Sequence, residues 1–334
     1  MVSYAAANEC FKNILYPPFN LTAFMIKKLS NFFESFLVTL FNRLDKPAIE
    51  NRLLLGQLLS QQVRIATHVN NLSEVEFKIF SQNREDGIIQ YLISHVSIPN
   101  KIFIEFGVGD FRESNTRFLL LHDKWKGLVM DSEKKYVSRI RSYDFYWKHD
   151  ITAIQTFITK NSINDLFKKH GFTGDIGLLS IDIDGNDYWV WDAITIIQPR
   201  IVICEYNNVF GKDLAVTIPY YAEFNRTNAH YSNLYFGASL RALCLLAEGK
   251  GYIFAGSDSS GSNAFFVRND VAQNITQRTC EEGYVQGTAR ESRDAHGQLT
   301  YVSGKARIDL IAKEKVFDIL TQREVVLQEL FPRS

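Results

Sequence analysis

Glycines and acidic residues close several short apolar runs of the sequence, at a spacing that suits a ribose-containing ligand. The run KIFIEF is followed by Gly107 and Gly109, and the run GLVM is followed by Asp131. Glycine lets the backbone turn tightly and approach a ligand closely. A carboxylate at the end of a second strand can accept hydrogen bonds from both hydroxyl groups of a ribose. The alternative is that Asp131 only begins a helix, because Asp131-Ser132-Glu133 is also typical of a helix start.

The loop after the first run lacks one feature of a dinucleotide-binding site. The fingerprint of such sites contains a third glycine, and Arg112 occupies that position here. The loop is therefore not adapted to a pyrophosphate, which disfavours a nicotinamide-dependent oxidoreductase.

A third acidic position, Asp150, falls in the sequence His149-Asp150-Ile151. A carboxylate here could bind the exocyclic amine of an adenine while Ile151 packs on its ring. The same Asp could equally cap a helix that begins at Thr152. The sequence leaves both interpretations open.

Two groups of oxygen-bearing side chains follow the fourth and fifth apolar runs. Asp182, Asp184 and Asp187 belong to the first group, and Glu205, Asn207 and Asn208 belong to the second. The carboxyl ends of neighbouring parallel strands meet at one edge of a sheet, so these oxygens should converge. Such oxygens suit Mg²⁺, and the predicted ligands are Asp184, Glu205 and Asn207. The alternative is that Asp184 and Asp187 cap the next helix and Glu205 is a polar wall.

Three residues are candidates for a general base that takes a proton from a substrate hydroxyl, namely Asp184, Glu205 and His230. His230 falls in a long predicted loop after the fifth run, where substrate contacts are common in such folds. A histidine in a loop is also often simply solvated, and this alternative stays open.

The candidate residues require a parallel sheet whose strand ends meet at one edge. Between about 76 and 268, apolar runs alternate with helical patterns, which is typical of βαβ units. We predict five parallel strands and a closing hairpin at 101–106, 127–130, 145–148, 176–183, 200–205, and 252–255 with 264–267. The long stretch from Thr152 to His170 is predicted to be helical. The expected fold is α/β, a Rossmann-like doubly wound and mostly parallel sheet with an antiparallel last strand.

Two further regions flank this predicted domain, which covers 76–268. Residues 1–75 are predicted to be a helical region, because apolar residues such as Leu55, Leu58 and Leu59 recur near a period of 3.6. Residues 269–334 are predicted to be a polar C-terminal extension that ends in a helix at 314–330. The charge run at 290–294 is typical of a solvated surface.

The composition excludes several classes of protein. Lys+Arg and Asp+Glu each number 37, so the chain has no basic footprint for nucleic acid. Its four cysteines are far apart and predict reduced thiols in a cytoplasmic protein. The N-terminus lacks the pattern of a signal peptide. Charged residues interrupt the apolar stretch at 19–41, so we expect a packed helix there, with peripheral membrane contact as the less favoured alternative.

The combined pattern resembles the class I S-adenosylmethionine-dependent methyltransferases, and within them the FkbM-like family. The similar stretches are EFGVGD after the first run, the acids that follow the second and third, SIDIDGND at 180–187, and FSQNREDG at 80–87. The resemblance covers about 78–268. The chain departs from the usual DVGANIG after the first strand, and it has Asp where the fourth-strand pattern KIDVEG-x-E has Glu.

The resemblance implies that S-adenosylmethionine is the cofactor. Glu105, Gly107 and Gly109 would contact its methionine end, Asp131 its ribose, and Asp150 its adenine. The full set of residues implied to bind it is Gln82, Glu105, Phe106, Gly107, Gly109, Asp131, Ser132, Asp150, Ile151 and Asp182.

The expected activity is methyl transfer to an oxygen of a small-molecule or saccharide acceptor, with Mg²⁺ as a potential aid. Two alternatives remain. One is a non-catalytic scaffold with the same fold, and the other is a nicotinamide-dependent oxidoreductase. The sequence contains no indication of an oligomeric state.

Overall fold

The computed structural model describes residues 46–67 and 69–331. The chain divides into two compact units, 1–54 and 55–334, and the sheet described below belongs to the second. The apolar stretch at 19–41 lies outside the described residues. Within the described ranges, no helix combines the length and apolar character needed to cross a membrane.

A seven-stranded sheet forms the centre of the second unit. Its strands are β1 Ile102–Phe106, β2 Lys126–Asp131, β3 Ile151–Gln155, β4 Gly174–Ile181, β5 Ile197–Glu205, β7 Tyr252–Ser257 and β8 Asn263–Arg268. Their order in the sheet is β3-β2-β1-β4-β5-β8-β7. The strands from β1 to β5 pair in parallel, and β8 runs antiparallel to both of its neighbours. The predicted α/β fold with a closing antiparallel hairpin is confirmed.

Ten α-helices accompany the strands in the part of the chain that the structure describes. They are α1 at 46–64, α2 Glu85–His95, α3 Arg117–Leu121, α4 Lys134–Ser142, α5 Ile163–Lys169, α6 Asp187–Ala193, α7 Arg226–Ala229, α8 Leu240–Gly249, α9 Cys280–Gly283 and α10 Lys305–Leu310.

The central strands are apolar along most of their length because both faces of the sheet are covered. On one face, Leu179 and Val202 are fully buried in the main core with Trp191 of α6. On the other face, Leu178 and Ile201 are equally buried. Runs of this kind are typical of parallel strands covered on both sides. Polar side chains are therefore concentrated at the strand ends, where the site lies.

The third strand differs from the prediction. The predicted strand at 145–148 is wrong, because that stretch forms turns and β3 begins at Ile151. Its residues pair with β2 from Gly127↔Ile151 to Asp131↔Gln155. Because β3 is the edge strand, only alternate residues are buried and its apolar run is short. The predicted helix from Thr152 is also wrong over its first half, and only α5 is helical.

The C-terminal extension contains strands instead of the predicted helix at 314–330. A second, three-stranded sheet has the order β10-β9-β6, formed by β6 Val216–Thr217, β9 Lys315–Asp318 and β10 Arg323–Val326. Val316 and Leu327 are fully buried in a separate apolar cluster with Phe210. Pairing of β9 with β6, about a hundred residues earlier, decides the conformation of this segment. The predicted boundaries at 75 and 268 stay predictions.

Candidate functional site

A cavity of about 290 Å³ lies beyond the carboxyl ends of β1 to β4. This is where the strand order reverses, between β1 and β4, and such crevices are the usual ligand sites of open α/β sheets. The residues that line the cavity are Gly107, Gly109, Met130, Asp131, Ser132, Glu133, Tyr136, Thr156, Phe157, Ile158, Asp182, Ile183, Asp184, Asn186 and Phe224.

Two glycines form the floor of the cavity after β1. Gly107 has φ +66°, and a Cβ atom there would lie 1.6 Å from the carbonyl oxygen of Asp182. Gly109 has φ +53°, and its N–H donates to Oδ2 of Asp131 over 2.9 Å. Left-handed backbone favours glycine at both positions, but only Gly107 also lacks the space for a side chain.

Asp131 has the helix-start contact of the alternative interpretation and lies on the cavity wall, and its ribose contact stays a prediction. Its Oδ1 accepts from the N–H of Glu133 over 2.7 Å, which fixes the start of α4, while its Oδ2 accepts from Gly109. Burial raises the pKa of Asp131 above its usual range. Each carboxylate oxygen keeps a second lone pair for a ligand hydroxyl. The structure also places Ser132 beside it on the cavity wall.

Glu105 and Phe106 are both predicted to contact the cofactor. In the structure, their side chains contact other groups of the protein instead. The buried carboxylate of Glu105 accepts from Ser114 Oγ at 2.6 Å, from Asn115 N at 2.9 Å, and from Thr116. Burial raises the pKa of Glu105, and these donors oppose the rise. The ring of Phe106 stacks on Phe167 in the core. Neither side chain lines the cavity, so Glu105 supports the site by holding the loop before α3.

Gln82 also falls outside the cavity wall. Its side chain is exposed, and its backbone carbonyl accepts a hydrogen bond from Nζ of Lys78 at 2.8 Å. The cofactor contact that the sequence predicts for Gln82 therefore has no support in the geometry.

Asp150 and Ile151 lie at the wrong end of the sheet for the predicted adenine contact. Asp150 precedes β3, and its carboxylate lies 3.8 Å from Nζ of Lys126, at the start of β2. The mistake follows from placing the third strand six residues too early. The residues that do follow β3 and line the cavity are Thr156, Phe157 and Ile158. Pairing the ITAIQ stretch with β2 is the signal that would have identified them.

Three carboxylates converge beyond β4 and β5. Oxygens of Asp182, Asp184 and Glu205 lie within 4.8 Å of one another. Burial raises the pKa of Asp182 and of Glu205 well above their usual ranges, the neighbouring carboxylates add to both, and Arg226 opposes both. Oε2 of Glu205 is buried and has no hydrogen-bond partner. We call these three residues the acid cluster.

Asp187 and Asn207 serve the loops around the acid cluster. The buried carboxylate of Asp187 accepts from the N–H groups of Ile183 and Gly185 at 2.8 and 2.9 Å, so it holds the loop before α6 and does not cap that helix as the alternative expects. Its pKa is raised to about 6, mainly by burial. Nδ2 of Asn207 donates to two backbone carbonyls, each at 2.9 Å, and its Oδ1 accepts from Val209 N. Asn207 is therefore committed to its loop, and Asp182 takes its predicted place in the cluster.

His230 contacts residues outside the acid cluster. Its Nδ1 is 2.7 Å from Oγ of Ser232, its Nε2 is 3.9 Å from Glu314, and its ring packs on Tyr231. Burial lowers the pKa of His230. Of the three predicted bases only Asp184 is part of the cavity wall. Glu205 lies within 4.8 Å of Asp184 in the acid cluster, whereas His230 has no contact with that cluster.

Comparison with known proteins finds one matching family model, over less than half of the chain. The model of the methyltransferase FkbM domain matches residues 78–231. No curated protein matches the sequence. Among solved structures, the chain is similar to the N-terminal domain of EvdMO1 with SAH bound, at 8% identity and a TM-score of 0.37, covering 63% of this chain and 94% of that one.

Two further solved structures have comparable similarity. The O-methyltransferase from Bacillus cereus in complex with SAH is 13% identical, with a TM-score of 0.35 over 65% of this chain and 89% of that chain. An S-adenosylmethionine-dependent methyltransferase from Clostridium acetobutylicum ATCC 824 is 7% identical, with a TM-score of 0.35 over 55% and 90%. Similarity this distant assigns no residue and no substrate to the present chain.

Proposed function

The chain carries a methyltransferase FkbM domain over residues 78–231, and from this premise we propose that it is an S-adenosylmethionine-dependent methyltransferase. The observation that carries the proposal is the carboxylate of Asp131, which closes β2 on the wall of the cavity with unused acceptor capacity. A ribose diol is the natural partner for a carboxylate at this place in the fold.

The remaining walls fit the other parts of the cofactor. Phe157 and Ile158 offer an apolar surface for the adenine ring, and Gly107 lets the backbone approach the methionine end closely. When bound, the cofactor supplies a methyl group that its sulfonium has already activated. The protein's task is then to align an acceptor and to remove a proton.

We place the acceptor beside the acid cluster and assign it as a hydroxyl of a small molecule or saccharide. This assignment follows the resemblance to the FkbM-like family. A carboxylate whose pKa is raised, while it is ionised, is a better base than an ordinary one. Burial raises the pKa of Glu205 in this way, and its Oε2 has no partner in the protein. Glu205, with Asp182 beside it, accepts the proton that the acceptor oxygen loses as its bond to the methyl carbon forms.

We also propose, as the alternative to proton transfer onto Glu205, that the acid cluster can hold Mg²⁺. Asp182, Asp184 and Glu205 present the hard oxygen ligands that this ion prefers, and the unpartnered oxygen of Glu205 fits a missing cation. The ion would orient the acceptor oxygen and stabilise its deprotonated form. Arg226 contacts Asp184, so one positive charge lies beside the cluster even before an ion binds.

Calorimetric titration with S-adenosylhomocysteine tests the proposal, with NADH as the control and each ligand measured with and without Mg²⁺. We expect S-adenosylhomocysteine to bind and NADH not to bind. Binding of NADH alone would support the oxidoreductase alternative, and binding of neither would support the scaffold. Titration of Mn²⁺ into the wild type and into Glu205→Gln tests the metal separately, since the variant should lose the binding that the wild type shows.

A further inference from the structure

A series of alternating charges connects the C-terminal extension to the acid cluster. Nη1 of Arg226 contacts Oδ1 of Asp184 at 2.8 Å, and its Nη2 lies 3.6 Å from Oε1 of Glu291. Nη2 of Arg307 donates to the same oxygen of Glu291 over 2.9 Å. The other end of the Arg307 guanidinium donates to Oδ1 of Asn208 over 2.8 Å. Each cation in this series therefore lies between two acceptors.

The position of Arg226 is fixed on more than one side. Its guanidinium lies 3.6 Å above the centroid of the Phe236 ring, and its Nε donates to the carbonyl of Asn233 over 2.8 Å. Arg307 is more deeply buried, with 7% of its side chain exposed. Burying a guanidinium without hydrogen-bond partners costs free energy, and Glu291 and Asn208 supply the partners of Arg307.

The extension lies directly on the loop that follows β5. The hydroxyl of Tyr284 donates to the carbonyl of Asn208 over 3.0 Å, and the hydroxyl of Tyr206 donates to the carbonyl of Val285 over 2.8 Å. A Cβ atom on Gly287 would lie 2.1 Å from Nδ2 of Asn208. These close contacts fix the path of the extension, and so they fix the position at which Glu291 reaches Arg226.

We infer that Glu291 and Arg307 are positioning residues that hold Arg226 against Asp184, so that Arg226 sets the charge which the cavity presents to the cofactor's sulfonium. Both come from the extension, outside the matched domain at 78–231. The inference rests on the proposed function, because it requires S-adenosylmethionine in the cavity lined by Asp182 and Asp184. It gives the extension a role in the site.

The affinities of S-adenosylmethionine and S-adenosylhomocysteine provide a direct measure of this charge, because the two ligands differ by one methyl group and one positive charge. Arg226→Met removes a cation beside the cluster, and we expect the preference for S-adenosylmethionine to rise about fivefold. Arg226→Lys keeps the charge and should restore most of the wild-type ratio. Glu291→Gln removes the residue that holds Arg226 against Asp184, so we expect the ratio to shift in the same direction as in Arg226→Met, by about threefold.

Glu281→Gln is the matched control, because it makes the same chemical change in the extension at an exposed residue paired with Lys212. Its affinity ratio should equal that of the wild type. Thermal melts establish that each variant is folded, and if Arg226→Met does not fold, Glu291→Gln alone decides the question. An unchanged ratio in the folded variants overturns this inference and leaves the proposed function intact. A wild type that binds neither ligand overturns both.

Discussion

At the scale of single residues, Asp131 and Asp150 form a natural pair for a test of the cofactor site. Both acids are predicted from the sequence to bind the cofactor, but they lie at opposite ends of adjoining strands. Asp131→Ala removes the acceptor for the Gly109 N–H and for the ribose hydroxyl that we propose it binds. We expect S-adenosylhomocysteine to bind more weakly by about 1–3 kcal/mol. Titration calorimetry on Asp150→Ala, which should bind like the wild type, is the control, and equal losses would contradict the assignment.

Glu85 makes the stability of the fold sensitive to pH. It begins α2, is fully buried, and accepts hydrogen bonds from Asn83 N and from Nδ2 of Asn263. Burial, with the charge of Asp258, raises its pKa from 4.5 to about 7. The folded state therefore binds more protons than the unfolded state between these values. Its contribution to stability is complete below pH 4.5 and is lost as the pH rises through 7.

Glu85→Gln cannot ionise, and we expect it to gain stability relative to the wild type as the pH rises from about 5 to about 8. The gain should be roughly 1–3 kcal/mol in the free energy of unfolding. Chemical denaturation at both pH values measures it. Glu74→Gln, at an exposed position, should differ from the wild type by the same amount at both. A Glu85→Gln difference that is independent of pH would refute the prediction.

The sequence predicts where the acids of the cavity wall lie, but it does not predict which charged residues pair with them. Asp131, Asp182 and Asp184 follow apolar runs that are long enough to recognise as strands, and the structure brings all three to the cavity wall. Arg226, Glu291 and Arg307 carry no comparable signal. They are separated by 16 to 81 residues, and only the packed extension brings them together. The charge run around Glu291, which is typical of a solvated surface, is instead partly buried against Arg307.

At the scale of elements, the loop after β1 contains two glycines that should respond differently to the same substitution. Gly109→Ala has open space for its methyl group, so the cost is that of a left-handed alanine, about 1–2 kcal/mol. Gly107→Ala adds a clash with the carbonyl of Asp182, and relief of that clash must separate β1 from β4. We expect Gly107→Ala to lose far more stability in thermal melts and to abolish ligand binding. Equal effects of the two substitutions would show that the close approach is unimportant.

Strands that are buried on both faces are predictable, and those that depend on distant pairing are not. β1, β2, β4, β5 and the β7–β8 hairpin fall within a few residues of their predicted bounds, because continuous apolar runs have few other interpretations. β3 has an edge position and a weaker apolar run. The segment at 314–330 carries apolar residues at spacings compatible with a helix, and only its pairing with β6 makes it a hairpin.

At the scale of the whole molecule, the extension is part of the folded body. Leu327 is fully buried with Val316 and Ile311, whereas Leu320, at the turn of the same hairpin, is 61% exposed. We expect Leu327→Ala to reduce the free energy of unfolding by about 2–5 kcal/mol. Leu320→Ala should change it by less than about 0.5 kcal/mol. Denaturant titration compares the two, and a small effect at Leu327 would mean that the extension is only loosely attached.

The strand order also affects how the protein can be made. β7 is the edge strand, and its neighbour in the sheet is β8. The ribosome makes β7 before β8, although β8 is the strand that joins β7 to the rest of the sheet. A ribosome releases the chain from its N-terminus, so β7 must wait unpaired until β8 has emerged, and this side of the sheet closes late. The partner of Glu291 arrives later still, at Arg307. A message interrupted before that codon still encodes the whole cavity wall, but its product lacks the arginine that completes the series of charges.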